Sequence, residues 1–166
     1  MASSSSSYSN PQWLYDVLLS FRGKDTRSNF ISHLHAALSN AGINAFVDYK
    51  LHKGTDLGPE LLGAIEKSHI SIIVFSKTYI ESTWCLNELE KIMECRQTHG
   101  HVVMPVFYDV DPSVVHHQQG GFGKTLQATD KKRYLERELR ENVLSSWRSA
   151  LTQAANLSGW DVTNYR

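Results

Sequence analysis

The sequence predicts an α/β domain built on a five-stranded parallel sheet in the order 2-1-3-4-5, with helices on both faces. Three observations carry this expectation. Short apolar runs alternate with stretches of helical periodicity along the chain, the pattern of successive strand-helix-strand units. One run, Ile70 to Phe75, is almost wholly β-branched and apolar, as in a central strand covered on both faces. The length of 166 residues suits one domain, because a chain of this size can hide roughly 70% of its unfolded surface in a single core.

The elements follow in order. Residues 1–12 are Ser-rich and polar and read as a disordered tail, leaving 13–166 as the domain. Strand one is Asp16 to Ser20, between the turn-prone Asn10-Pro11 and Arg22-Gly23. Asp25 or Thr26 then caps a helix carrying Phe30, Leu34, Leu38 and Ala41, which Gly42 ends. Ile43 to Val47 is strand two, and Asp48 to Gly58 is a polar loop leading to Pro59, a residue suited to a first helical turn. After strand three at Ile70 to Phe75, Ser82 caps a third helix that runs to Gly100 and places Glu88 about one turn in. Val102 to Phe107 is strand four. Asp109 to Gly123 reads as loop, with a short weak helix over Phe122 to Ala128. Leu139, Val143, Trp147 and Leu151 recur every four residues and mark Glu138 to Ala155 as an amphipathic helix, before a fifth strand near Leu157 to Val162. Right-handed crossovers then give a flavodoxin-like sheet, whose ligand crevice lies beyond the carboxyl ends of strands one and three.

Composition narrows the function classes. Lys plus Arg and Asp plus Glu are equal at 17 each, so no global field draws the chain to nucleic acid or an anionic membrane. No apolar run approaches the roughly 18 residues needed to span a bilayer, and the N-terminus lacks the basic and apolar regions of a secretory leader. Cys85 and Cys95 have no disulfide or metal-knuckle spacing. These features point to the cytosol, with the nucleus open as a second location.

Several segments carry a family resemblance. They are Tyr15-Asp16-Val17-Leu18-Leu19-Ser20-Phe21-Arg22-Gly23-Lys24-Asp25-Thr26-Arg27 and Phe75-Ser76-Lys77-Thr78-Tyr79-Ile80-Glu81-Ser82-Thr83-Trp84-Cys85-Leu86-Asn87-Glu88-Leu89. Pro105-Val106-Phe107-Tyr108-Asp109-Val110-Asp111-Pro112-Ser113 and Ala155-Asn156-Leu157-Ser158-Gly159-Trp160 follow. In this order they resemble the TIR (Toll/interleukin-1 receptor) domain of plant intracellular immune receptors of the TIR-NBS-LRR type. The resemblance implies a TIR fold, self-association, and cleavage of NAD+ or NADP+, as substrate rather than prosthetic group, at the nicotinamide-ribose bond. It also implies signalling in innate immunity and cell death.

The family's catalytic glutamate falls on Glu88. A carboxylate there can stabilise the positive charge that develops on the ribose, and nicotinamide leaves neutral without needing a general acid. Helix spacing alone favours the other reading, a solvated glutamate in a first turn where the helix dipole welcomes it. Phe21, Arg22 and Gly23 belong to the implied nucleotide site. The Arg22 guanidinium suits a phosphate, or pairs with Asp25. Ser82 and Trp84 flank Glu88, and the Trp84 indole either stacks on the ligand or fills core. Asp48 to Leu61 matches a mobile loop of the family, the BB loop, or is an ordinary surface loop; within it Lys53 can meet a phosphate. Ser32-His33 and Gly159 correspond to two self-association surfaces, although Gly159 also suits a turn.

Other patterns fail on inspection. Gly123-Lys124-Thr125 lacks the glycine and strand that a phosphate-binding loop needs, and the His99/His101 and His116-His117 pairs lack partners at metal spacing. His116-His117 and Gly121 depart from the family pattern, where basic residues and a serine are common, which weakens the case for an assembly surface there and for nucleic acid as a partner. The alternative to an enzyme is a scaffold that only recruits other TIR domains. A response-regulator phosphoacceptor would need acidic strand ends, and these carry Ser20-Phe21-Arg22 and Phe75-Ser76 instead.

Overall fold

The computed structural model describes residues 13–26, 30–48, 57–133 and 137–162; the serine-rich tail and Lys53 lie outside them. Strands β1 (Tyr15–Phe21), β2 (Ala45–Val47), β3 (Ser68–Phe75), β4 (Val102–Phe107) and β5 (Trp160–Asp161) form one sheet in the order β2-β1-β3-β4-β5. Every neighbouring pair is parallel. The helices are α1 (Gly23–Thr26), α2 (Ser32–Asn40), α3 (Pro59–Glu66), α4 (Thr83–His99), α5 (Pro112–His117), α6 (Gly120–Arg133) and α7 (Arg137–Ala155).

Crossover handedness decides which face each helix covers. The β1-to-β2 step moves one way along the sheet and all later steps move the other, so right-handed connections put α2 on one face and the later helices opposite. The core is divided accordingly. Val17, Leu19, Phe21, Ile72, Val74 and Val106 meet Ile31 and the α2 side chains Leu34 and Leu38. On the opposite face, Leu18, Ile73, Phe75, Val103 and Phe107 pack against Leu61 and Ile65 of α3, Leu86, Leu89 and Ile92 of α4, and Trp147 and Leu151 of α7. The Trp147 indole also donates to Asn87 Oδ1 at 3.1 Å, fixing α4 against α7.

Several ends match the signals read in the sequence. Ser82 caps α4 by accepting the Cys85 amide at 3.1 Å, and Gly100 closes that helix with φ of 69°. Pro59 opens α3. Other expectations need correction. Thr26 does not cap the first long helix: its hydroxyl donates to the Arg22 carbonyl at 3.0 Å, and the α-helix begins at Ser32 after a separate turn, α1. The stretch expected to be loop holds α5, with Pro112 in its first turn and the Asp111 carboxylate accepting from the Ser113 amide at 2.8 Å. The weak helix expected at Phe122 to Ala128 is the 14-residue α6, anchored by fully buried Leu126. Leu139, read as part of the apolar stripe of α7, is 44% exposed; that stripe reaches the core only from Val143 onward.

Gly159 is held by a close intramolecular approach. A Cβ there would overlap the Pro105 carbonyl oxygen and sit 2.7 Å from Pro105 Cγ, whereas a Cβ at Gly121, in the first turn of α6, meets nothing within 4 Å. Gly159→Ala therefore costs about 1–3 kcal/mol of stability through overpacking at the β4–β5 edge. Gly121→Ala gains up to about 1 kcal/mol because the more restricted residue loses less chain entropy in a helix. Urea denaturation of the two variants distinguishes them by sign.

Candidate active site

Glu88 emerges on the inner side of α4. It is 5% exposed, so the solvated-glutamate reading fails. The side-chain period of two in β1 explains its partner: Leu18 and Ser20 turn toward the same face, one into the apolar core and the other to the carboxyl group. Ser20 Oγ donates to Glu88 Oε1 at 2.5 Å and lies 2.9 Å from the Tyr79 hydroxyl. Tyr79 sits in a 3-10 turn, Tyr79–Glu81, just after β3, and its hydroxyl donates to the Cys85 carbonyl at 3.0 Å. The Cys85 thiol in turn approaches the Phe21 carbonyl at 3.5 Å. The carboxyl end of β1, the turn after β3 and the first turn of α4 are thereby joined in one buried network.

Burial dominates the electrostatics. It pushes the Glu88 carboxyl up to about 8; the Ser20 hydrogen bond opposes this shift, and the charge of Asp48 at the end of β2 adds to it. Burial also raises the Tyr79 phenol well above its usual range, helped by Cys85 and Glu88. Asp48 thus joins the site from a third strand end. At the end of β3, the buried Ser76 hydroxyl meets no hydrogen-bond partner among the described residues.

The other residues expected here are distributed as follows. Phe21, Arg22 and Gly23 form the exit of β1, with Phe21 buried and Arg22 and Gly23 half-buried. Ser82 is the α4 cap, and Trp84 is half-buried against the core. Ser32 and His33 open α2, which covers the opposite face of the sheet, with His33 exposed; Gly159 is at the β5 edge. Sequence reasoning missed Ser20 and Tyr79 as direct supports of Glu88. The available signal was the pair Tyr79-Ile80 inside an otherwise polar strand-to-helix connection, since an aromatic buried there needs a partner for its phenol. A separate groove of about 810 Å³ runs beside α3, α4 and α7, lined by Leu62, Asn87, Lys91 and Gln153 among others, and Glu88 does not line it.

Among the described residues no group of three or more His, Cys, Asp or Glu is placed to hold a metal ion, and no helix is long and apolar enough to cross a membrane. Cys85 and Cys95 are buried thiols that are not joined in a disulfide.

This sheet order, with its buried acidic site at the switch point, defines a doubly wound α/β domain of the TIR class. The TIR domain family model matches residues 14–166, and the chain belongs to that family. It is 50% identical over 166 residues to disease resistance protein RPV1 of Vitis rotundifolia, covering 99% of this chain and 11% of that protein. It is 48% identical over 162 residues to TMV resistance protein N of Nicotiana glutinosa, covering 96% and 13% respectively. The chain therefore spans only about a tenth of the length of these curated relatives. Among solved structures, the TIR domains of the activated Roq1 resistosome, which directly recognises the pathogen effector XopQ, superpose with a TM-score of 0.80 at 47% identity. That match covers 90% of this chain and 89% of the other.

The raised Glu88 carboxyl has a consequence for stability. The folded protein keeps this proton up to about pH 8, while the unfolded chain loses it near 4.5. Between those values the folded state binds more protons, so stability falls as pH rises; the contribution is complete below the lower value and lost above the upper. Glu88→Gln removes this dependence. Its stability relative to wild type should climb from pH 4.5 to 8 in urea melts, and a flat difference contradicts the buried acid.

Proposed function

We propose that this domain is an NAD+ nucleosidase, cleaving NAD+ or NADP+ at the nicotinamide-ribose bond as a hydrolase or cyclase. In this reading it is switched on by self-association and signals in plant innate immunity and cell death, within an intracellular, cytoplasmic resistance protein. The observation that carries the reading is the buried Glu88 carboxyl, held by Ser20 at the carboxyl end of β1. The names of the resistance-protein relatives and the assembled state of the Roq1 domains support the immune and oligomeric parts.

The chemistry asks little of the protein beyond one well-placed carboxylate. As the glycosidic bond breaks, its electron pair goes to the pyridinium nitrogen, nicotinamide leaves neutral, and positive charge is left on the ribose. Glu88 stabilises that charge. Water, or a nucleophile within the same nucleotide, then bonds to the ribose carbon and loses a proton. Arg22 and Lys53 position phosphates, Phe21 and Gly23 shape the floor of the nucleotide site, and Ser82 and Trp84 support the ribose or base. The cationic nicotinamide ring also favours the ionised form of Glu88, so binding displaces the proton that burial retains.

Nicotinamide release by concentrated protein should fall about 10²- to 10³-fold in Glu88→Ala, as when a charge-stabilising group is removed from an active site. Equal rates in the two proteins would remove Glu88 from the chemistry and leave the scaffold reading. His33→Ala, on the assembly surface, should lower release in dilute protein and recover at high concentration, with sedimentation reporting the weaker self-association. A concentration-independent defect would contradict a role in assembly.

A further inference from the structure

We infer that Ser20 and Tyr79 are positioning residues for Glu88: they form a relay whose hydrogen bonds all run one way while the carboxyl holds its proton and must rearrange when it is released. The inference rests on the proposed role of Glu88 and adds two residues to it. The contacts are Glu88–Ser20, Ser20–Tyr79 and Tyr79–Cys85 carbonyl, at 2.5, 2.9 and 3.0 Å.

Counting hydrogens shows why the relay has two states. Serine and tyrosine each supply one donor proton, and a protonated carboxyl supplies a third. With Glu88 neutral, there are three protons for the three contacts: the carboxyl proton can turn to Ser20 Oγ, reversing the Ser20-to-Glu88 direction, which frees Ser20 to donate to Tyr79 while Tyr79 donates to the Cys85 carbonyl. With Glu88 ionised, Ser20 must turn its proton to the carboxylate. Tyr79 then has one proton and two acceptors, Ser20 Oγ and the Cys85 carbonyl, so one contact is left without a hydrogen. Tyr79 is fully buried, so bulk water does not repair the loss. Among the described residues, the other ionisable groups facing the relay are Asp48 from the end of β2 and the Cys85 thiol from α4, and neither supplies a compensating positive charge. A bound nicotinamide cation would.

The two relay residues oppose each other, and this separates a positioning role from a merely structural one. Without the Ser20 hydroxyl, the ionised carboxylate loses its donor, so Ser20→Ala favours the protonated form. Without the Tyr79 hydroxyl, the protonated state strands the Ser20 proton while the ionised state keeps its Ser20–Glu88 bond, so Tyr79→Phe favours the ionised form.

The experiment records nicotinamide release against pH for wild type, Ser20→Ala and Tyr79→Phe. In parallel, the side-chain carboxyl resonance of Glu88 is titrated in isotope-labelled protein, assigned by its absence in Glu88→Gln. The expected result is an activity midpoint displaced to higher pH in Ser20→Ala and to lower pH in Tyr79→Phe, each displacement of one pH unit changing the rate about tenfold on the sloping limb. The carboxyl resonance should move in the same two directions. Both variants losing activity with unchanged midpoints, in release and in resonance, overturns the relay while leaving the nucleosidase reading intact. Opposite shifts of the resonance with no nicotinamide released by any protein uphold the relay and overturn the nucleosidase reading. If one variant does not fold, a wild-type-like resonance midpoint in the other is sufficient to reject the relay.

Discussion

Taking a carboxyl group out of water is the constraint around which this site is organised. An isolated buried carboxylate is far too costly to persist, so the group must keep its proton, find donors, or wait for a compensating cation. Glu88 does the first and is equipped for the second by Ser20. A hydrogen bond to a charged group contributes about 1.5–3 kcal/mol, appreciable but less than the burial it opposes. The balance leaves a carboxyl that keeps its proton up to about pH 8.

The fold supplies this balance through ordinary packing. β1 is central, so its alternate residues are buried on both faces, and Ser20 brings a hydroxyl to a position where the neighbouring layers are apolar. The residues around Glu88 in α4 each hold the helix in place: Ser82 caps it, Leu86 and Leu89 enter the core, and Asn87 accepts from Trp147 of α7. The carboxyl is thus aimed by a rigid helix against a rigid strand, with little freedom to turn away from Ser20. Gly159 shows the same economy at the far edge of the sheet. Its missing side chain is required by contact with Pro105 within the chain, so an effect of substituting it on assembly must be separated from an effect on the fold.

Much of this was legible in the sequence. Strand order followed from the alternation of periodicities, and the punctuation at Ser82, Pro59 and Gly100 was read correctly because capping and left-handed turns are local chemistry. What was missed depended on distant partners. α5 looked like loop, and α6 like a short weak helix, because their polar residues outnumber their apolar ones; among their described residues Val115 and Leu126 are the fully buried apolar side chains. Leu139 kept the helical spacing of its neighbours but lies beyond the edge of what α7 covers. Glu88 was the clearest case: helix spacing favoured a solvated residue, and the motif resemblance alone marked it as functional. Its contact with Ser20 spans 68 positions and is set by the register of β1 against the helix layer, which no local pattern encodes.

The central claim is that Glu88 is a buried acid that gives up its proton to meet a nicotinamide cation. Titration calorimetry with a non-cleavable carbocyclic NAD+ analogue, near pH 7 in two buffers of different ionisation enthalpy, counts the protons exchanged on binding. Wild type should release nearly one proton per molecule bound, because its folded carboxyl is largely protonated at that pH, and Glu88→Gln should release none. Binding to wild type without proton release, or the same release from Glu88→Gln, would contradict it.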